Sequence, residues 1–288
     1  RQKLCAMTGA EDALVVNNNA AAVLLILSAI AASKEVVVSR GELVEIGGSF
    51  RIPDVIQQGG AILREVDCTN RLHLRDIEAV LSTETGAILR VHTSNYRIVG
   101  FTSRPGRKDV CALGSRYQVP VVEDLGSGLL AHAPDVPWKD MLEREESIAN
   151  ALAEGVDVVC ASGDKLLGGV QAGLIVGRKK WIEKCRQHPL YRALRLDKMI
   201  LAGLEATLQM HLEGRSQRRS TCQTPCEALR YGQAVSPGEG FSVIEASHRK
   251  TGHPSAERLD VGSRRVRREV RFRLRPSIES VEYLSGRS

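Results

Sequence analysis

The chain has 288 residues, 43% hydrophobic and 4% aromatic, enough for one large domain and a smaller segment packed mainly by Ala, Leu, Val and Ile. Its net charge of +6 is uneven: residues 214–288 hold 14 Arg and one Lys against 8 acidic residues, a balance of +7 that leaves −1 for residues 1–213. Charge alone therefore does not make the whole protein a nucleic-acid binder, and the apolar run 20–32 falls short of the ~20 residues a membrane span needs.

The chain opens inside an expected helix, 1–8, with no capping residue ahead of it, so further residues are expected upstream. Residues 13–16 read as a short buried strand. Asn17, Asn18 and Asn19 follow, and an apolar helix begins at Ala20. Asparagines between a strand and a helix offer capping side chains and free N–H groups, as an ordinary N-cap or as a phosphate site. A strand is expected at 35–39. The stretch 40–53, with three glycines and mixed charges, reads as a functional loop, and Pro53 opens a helix that runs to Gln58. A strand returns at 60–66, then an amphipathic helix at 74–81, then a strand at 87–92 leading into His92, Thr93, Ser94 and Asn95. A helix covers 109–117. The strand that begins at Val119 ends in Glu123, Asp124 and a glycine loop. Helix 145–154 precedes strand 156–160, and Ser162-Gly163-Asp164-Lys165-Leu166-Leu167-Gly168-Gly169 makes a tight turn carrying one amine. A strand at 172–176 and helices at 179–188 and 198–212 complete the regular part.

Strands alternating with helices predict an α/β fold, a doubly wound and mostly parallel sheet with helices on both faces. Ligands in such sheets bind beyond the carboxyl ends of the strands. Asn17–Asn19, His92, Asp124 and Lys165 all fall at such ends. The domain reading is a large domain over 1–213 and an Arg-rich, irregular segment over 214–288. Within the latter only 267–274 alternates like a strand, and 264–275 reads as RNA-binding or merely solvated. Seven cysteines, odd in number and scattered, imply a reducing, cytoplasmic setting. Cys222 and Cys226 lack a second ligand pair at finger spacing, so no metal is expected.

Lys165 on its glycine-flanked turn is placed for imine chemistry with an aldehyde cofactor, or else is a solvated loop lysine. Asp124, at the end of an apolar strand, suits a protonated pyridine nitrogen or a strand-end cap. Glu123 is the alternative, but one residue back it should face the other side of the sheet. Asn17, Asn18 and Asn19 suit the phosphate, and His92 either packs on a cofactor ring or is structural. Together these are the requirements of pyridoxal phosphate.

Five stretches in collinear order resemble the bacterial selenocysteine synthase family, L-seryl-tRNA(Sec) selenium transferase, over 1–213. They are Val15-Val16-Asn17-Asn18-Asn19-Ala20-Ala21-Ala22, the run from Ser39-Arg40-Gly41-Glu42 to Arg51-Ile52-Pro53, Ser94-Asn95-Tyr96-Arg97-Ile98-Val99-Gly100-Phe101, Glu123-Asp124-Leu125-Gly126-Ser127-Gly128, and the lysine turn itself. The resemblance implies a pyridoxal-phosphate enzyme of the aspartate aminotransferase type. It implies conversion of L-seryl-tRNA(Sec) to selenocysteinyl-tRNA(Sec) with selenophosphate, by elimination to a dehydroalanyl intermediate and addition of selenium. Lys165 would move the protons, and Asp164 beside it would serve the selenium-donor step. Arg192 and Arg195, three apart and on one face if helical, would clamp selenophosphate rather than form a solvated basic face. The implied assembly is a homodimer or a ring of dimers with shared active sites. The chain departs from the family at Val170, where proline is usual. The resemblance over 1–213 does not extend to the family's N-terminal tRNA-binding domain, and 214–288 does not resemble its small C-terminal domain. Two other readings stay open: a related lyase acting on a small phosphorylated amino acid, and an inactive truncated remnant whose Arg-rich tail binds RNA.

Overall fold

The computed structural model describes residues 1–46, 50–94, 96–130, 145–214 and the backbone of 242–245. A seven-stranded sheet carries the domain, in the spatial order β1 (Asp12–Val16), β10 (Gly173–Gly177), β9 (Val158–Ser162), β8 (Val121–Gly126), β6 (Thr85–Val91), β2 (Glu35–Ser39) and β5 (Ile62–Val66). β10 runs antiparallel to both of its neighbours, and every other pair is parallel. The other six strands therefore share one carboxyl rim. β9 and β10 are buried along their whole length, which is why they read as unbroken apolar runs and not as alternating ones.

Helices cover both faces. α1 (Gln2–Thr8), α4 (Leu74–Glu78), α5 (Arg107–Tyr117), α6 (Ile148–Ala153) and α9 (Lys198–Leu212) contribute Leu4, Ile77, Val110, Ile148 and Leu204 to the core on one side. α2 (Asn19–Ile30), α3 (Ile52–Gln58) and α7 (Lys179–Gln187) contribute Leu27, Ile56 and Ile182 to the other. The short α8 (Pro189–Ala193) follows α7. α2 is apolar nearly all round, and its Val23, Leu25, Ile26 and Leu27 are all but fully buried. At ~1.5–3 kcal/mol per buried aliphatic side chain, this helix is a principal source of stability.

The α/β reading holds, with differences at particular elements. The helix expected from 145 starts at Ile148, because the Ser147 side chain accepts the Asn150 N–H at 3.1 Å and caps it there. The helix expected over 74–81 ends at Glu78. The stretch 40–53 is more regular than a loop: a 3₁₀ turn, Arg40–Glu42, precedes the hairpin of β3 (Glu45–Ile46) and β4 (Phe50–Arg51). β7 (Tyr96–Val99) pairs in parallel with β11 (Ser242–Glu245), a strand inside the segment read as irregular. The strand expected at 267–274 and the pair Cys222 and Cys226 lie outside the described residues. Among the described residues no helix is long and apolar enough to cross a membrane.

Candidate functional site

Residues alternate sides along β8. Val122 and Asp124 face the α2 layer, while Val121, Glu123 and Leu125 face the α5 layer. Asp124 is buried, and its Oδ1 accepts the Asn19 amide at 2.8 Å and the Gly126 N–H at 3.1 Å. Burial pushes its carboxyl above the ordinary range, against the pull of the Asn19 amide, the Lys165 charge, the Gly126 N–H and the Cys160 thiol. A carboxylate this buried calls for a cationic partner.

Lys165 follows β9 on the same rim and is half-buried. Its turn is tied at several points. Gly163 N donates to Ala172 O, Gly169 N to Gly163 O, and Leu166 N to Ser127 O, all at 2.8–2.9 Å. α9 braces it from outside: the His211 ring meets Leu167 O at 2.8 Å, and Val170 packs where Gly203 leaves room. Two glycines shape the facing loop. Gly126, at φ +65, brings the backbone close to the amine, since a Cβ there would lie 3.9 Å from Lys165 Nζ. Gly128, at φ +81, passes so near Ser162 O that a Cβ would sit 2.1 Å from it.

The three asparagines have separate tasks. The Asn18 side chain accepts the Ala21 N–H at 2.8 Å and caps α2. Asn19 turns its amide to Asp124, and its Oδ1 is buried without a partner among the described residues. Asn17 is exposed, and its N–H donates to Leu194 O at 2.9 Å, tying the start of α2 to the end of α8. The N–H groups at the start of α2 have no acceptor within the helix.

The remaining candidates lie at varying reach. The His92 N–H donates to Asp124 O at 2.8 Å, and its Nε2 is 3.7 Å from Glu145 Oε2. Asp164 is exposed beside Lys165. Arg192 sits in α8, but that helix stops at Ala193 with Leu194 as its cap, so Arg195 lies beyond it and the two arginines share no helical face. Both are exposed and make no ion pair among the described residues. Glu123 faces away from the amine and is gripped by Arg107 through two nitrogens, at 2.7 and 3.1 Å.

Two contributors escaped the sequence reading. Cys160 is the register partner of Asp124 across β8 and β9 and lies on the same face, so strand alternation was the available signal. Glu42, 2% exposed, accepts the Val91 N–H at 2.8 Å and pairs with Arg104, closing the rim beside β6.

The sheet and its two helical layers have the fold of the large domain of the aspartate aminotransferase type. The fold of Thermus thermophilus aspartate aminotransferase (a double mutant) matches at TM-score 0.54 and 15% identity, over 75% of this chain and 55% of that one. D-glucosaminate-6-phosphate ammonia-lyase matches at TM-score 0.62 and 24% identity, over 74% of this chain and 57% of that one. The chain belongs to the L-seryl-tRNA selenium transferase family, which it matches over residues 1–225. The L-seryl-tRNA(Sec) selenium transferase of Alkaliphilus metalliredigens is 58% identical over 207 residues, 72% of this chain and 44% of the relative. That of Solidesulfovibrio magneticus is 56% identical over 226 residues, 78% of this chain and 47% of the relative. The chain thus spans less than half the length of these relatives.

Proposed function

We propose that this chain supplies the cofactor-bearing large domain of an enzyme that converts L-seryl-tRNA(Sec) to selenocysteinyl-tRNA(Sec) with selenophosphate. The observation that carries the reading is the buried Asp124 facing the Lys165 amine, held by Asn19 and Gly126. Family membership and the printed names of the relatives support the substrate.

The residues present fit pyridoxal phosphate. Asp124 is a buried carboxylate whose desolvation a pyridinium nitrogen would offset, and Asn19 Oδ1 is a buried acceptor without a partner among the described residues. Lys165 would hold the aldehyde carbon, Asp124 the ring nitrogen, and the first N–H groups of α2 with Asn17 the phosphate. When bound, the cofactor supplies an electron sink for the bond-breaking at the serine α-carbon.

The chain's own residues do the rest. Asp124 would keep the ring nitrogen protonated. Lys165, once its amine is free, takes the α-proton and returns one, which its tied turn allows by fixing the amine's position. His92, anchored through its N–H to Asp124 O, would pack against the cofactor ring. Arg192 and Arg195, on either side of Leu194, whose carbonyl accepts the Asn17 N–H, would take the selenophosphate anion, and Asp164 beside Lys165 would serve the selenium-donor step. Assembly as a homodimer or ring of dimers follows from the family resemblance. Five free cysteines among the described residues support a reducing, cytoplasmic setting.

The test is turnover of the chain with pyridoxal phosphate, seryl-tRNA(Sec) and selenophosphate, read as selenium incorporated into the aminoacyl group. Selenium transfer that disappears in Lys165→Ala supports the reading. Turnover of free amino acids with none of charged tRNA contradicts it.

A further inference from the structure

The same carboxyl rim holds a cavity of about 290 Å³, near the lower end of small-ligand sites, with a lining about half polar. Asp67, Thr69, Asn70, Arg71, Thr93 and Arg104 contribute to its lining. Its place in the fold follows from the strands. Asp67 directly succeeds β5, and Thr93 follows His92, whose N–H bonds Asp124. The two sites therefore share the segment that leaves β6.

The wall of this cavity is unbalanced. Asp67 Oδ2 accepts the Ser39 hydroxyl at 3.2 Å, but its Oδ1 is buried without a partner among the described residues. Arg71 Nε is buried and unpartnered as well. Buried polar atoms are matched in the great majority of cases, so two unmatched ones on residues lining one cavity mark a place for a ligand. Arg104 has its counter-charge in Glu42. Arg71 has no carboxylate partner among the described residues; its guanidinium stacks on the Phe101 ring at 4.0 Å, which fixes the side chain. Asp67 holds a left-handed backbone, φ 68, uncommon for a residue other than glycine. Burial lifts its carboxyl to about 6.

We propose that this cavity binds the terminal nucleotide of the RNA substrate, with Asp67 accepting a ribose hydroxyl and Arg71 pairing with a phosphate; this rests on the reading given under Proposed function. A carboxylate is an acceptor only, and ribose hydroxyls are donors that carboxylates bind in other nucleotide sites. Guanidinium groups match phosphate through paired hydrogen bonds. Asn70 and the threonines supply the donor and acceptor pairs that a base edge needs. The cavity opens on the same carboxyl rim as Lys165, with Asp67 four strands along the sheet order from β9.

The probe is adenosine 5′-monophosphate, titrated by calorimetry into the full chain supplied with pyridoxal phosphate, with the visible absorbance of the lysine-bound cofactor followed in the same samples. Saturable binding is expected, weakened at least tenfold in Asp67→Asn. The 2′,3′-dideoxy nucleotide should lose as much on the unaltered protein, a comparison that needs no variant to fold. Arg71→Gln should weaken the monophosphate but not adenosine. No saturable binding, or equal binding of the dideoxy nucleotide, overturns the proposal, and intact cofactor absorbance in that sample leaves the preceding reading standing. Asp67-dependent nucleotide binding without cofactor uptake supports the cavity and contradicts the preceding reading.

Discussion

Glu123 and Asp124 are adjacent, both buried, and opposite in character. Glu123 faces the α5 layer, where Arg107 grips it through two nitrogens and also meets Glu146 and Glu154 at 2.7 Å each. Burial works against the charge on Arg107, yet the carboxylates outweigh it and hold the guanidinium above its ordinary range. Asp124 faces the other layer with an amide, a backbone N–H and a thiol for company, and its carboxyl is pushed up. One side of the strand is electrostatically closed; on the other the Lys165 charge, the Asn19 amide and the Gly126 N–H do not offset the cost of burial. The contrast separates a carboxylate matched by an arginine from one whose burial is only partly offset.

Breaking the closed side should have the larger effect on stability. Arg107→Met leaves Glu123 in the core with only Arg90, 3.6 Å away, and removing one partner of a buried pair costs about 3–5 kcal/mol. The thermal midpoint should fall by roughly 10 °C or more, while Lys165 still takes up pyridoxal phosphate in the folded fraction. A midpoint unchanged in Arg107→Met would mean that Glu146 and Glu154 do not confine the arginine to that role.

The open side should respond with the opposite sign. The folded pKa of Asp124 is raised, so the stability this group contributes is full below its unfolded value, about 4, and is lost as pH rises through the higher folded value. Asp124→Asn should therefore make the cofactor-free protein more stable at neutral pH, and should flatten that part of its stability profile. It should still bind the cofactor but lose the protonated ring nitrogen, and with it catalysis. Denaturant melts from pH 4 to 8 check the first point, and absorbance with turnover checks the second. A smaller change comes from Asn18→Ala, which removes the cap of α2 at about 1 kcal/mol and should weaken phosphate retention without altering Lys165.

Much of this contrast was legible in the chain itself. Period-two alternation separates Glu123 from Asp124, and short β-branched runs ending in polar residues place Asn17–Asn19, His92, Asp124 and Lys165 on one rim. Strand alternation also held the signal for Cys160. Pairings between distant residues were not legible. Asn19 reads as one of three phosphate donors, yet its amide crosses 105 positions to reach Asp124. The start of α6 was written in Ser147, but the preceding Glu145 and Glu146 suit a helix equally well by propensity, and Glu146 goes instead to Arg107. Arg192 and Arg195 have helical spacing, and only the cap at Leu194 parts them. The β7 and β11 pairing joins two four-residue strands too short to announce themselves.

The central claim is that the open side of β8 faces a cofactor joined to Lys165. The direct measurement is borohydride reduction of the chain with pyridoxal phosphate, followed by peptide mapping by mass spectrometry. A pyridoxyl group on the peptide containing Lys165, lost in Lys165→Ala while the thermal midpoint is kept, is the predicted result. A label spread over surface lysines, or none on that peptide with the vitamin in excess, would contradict the account.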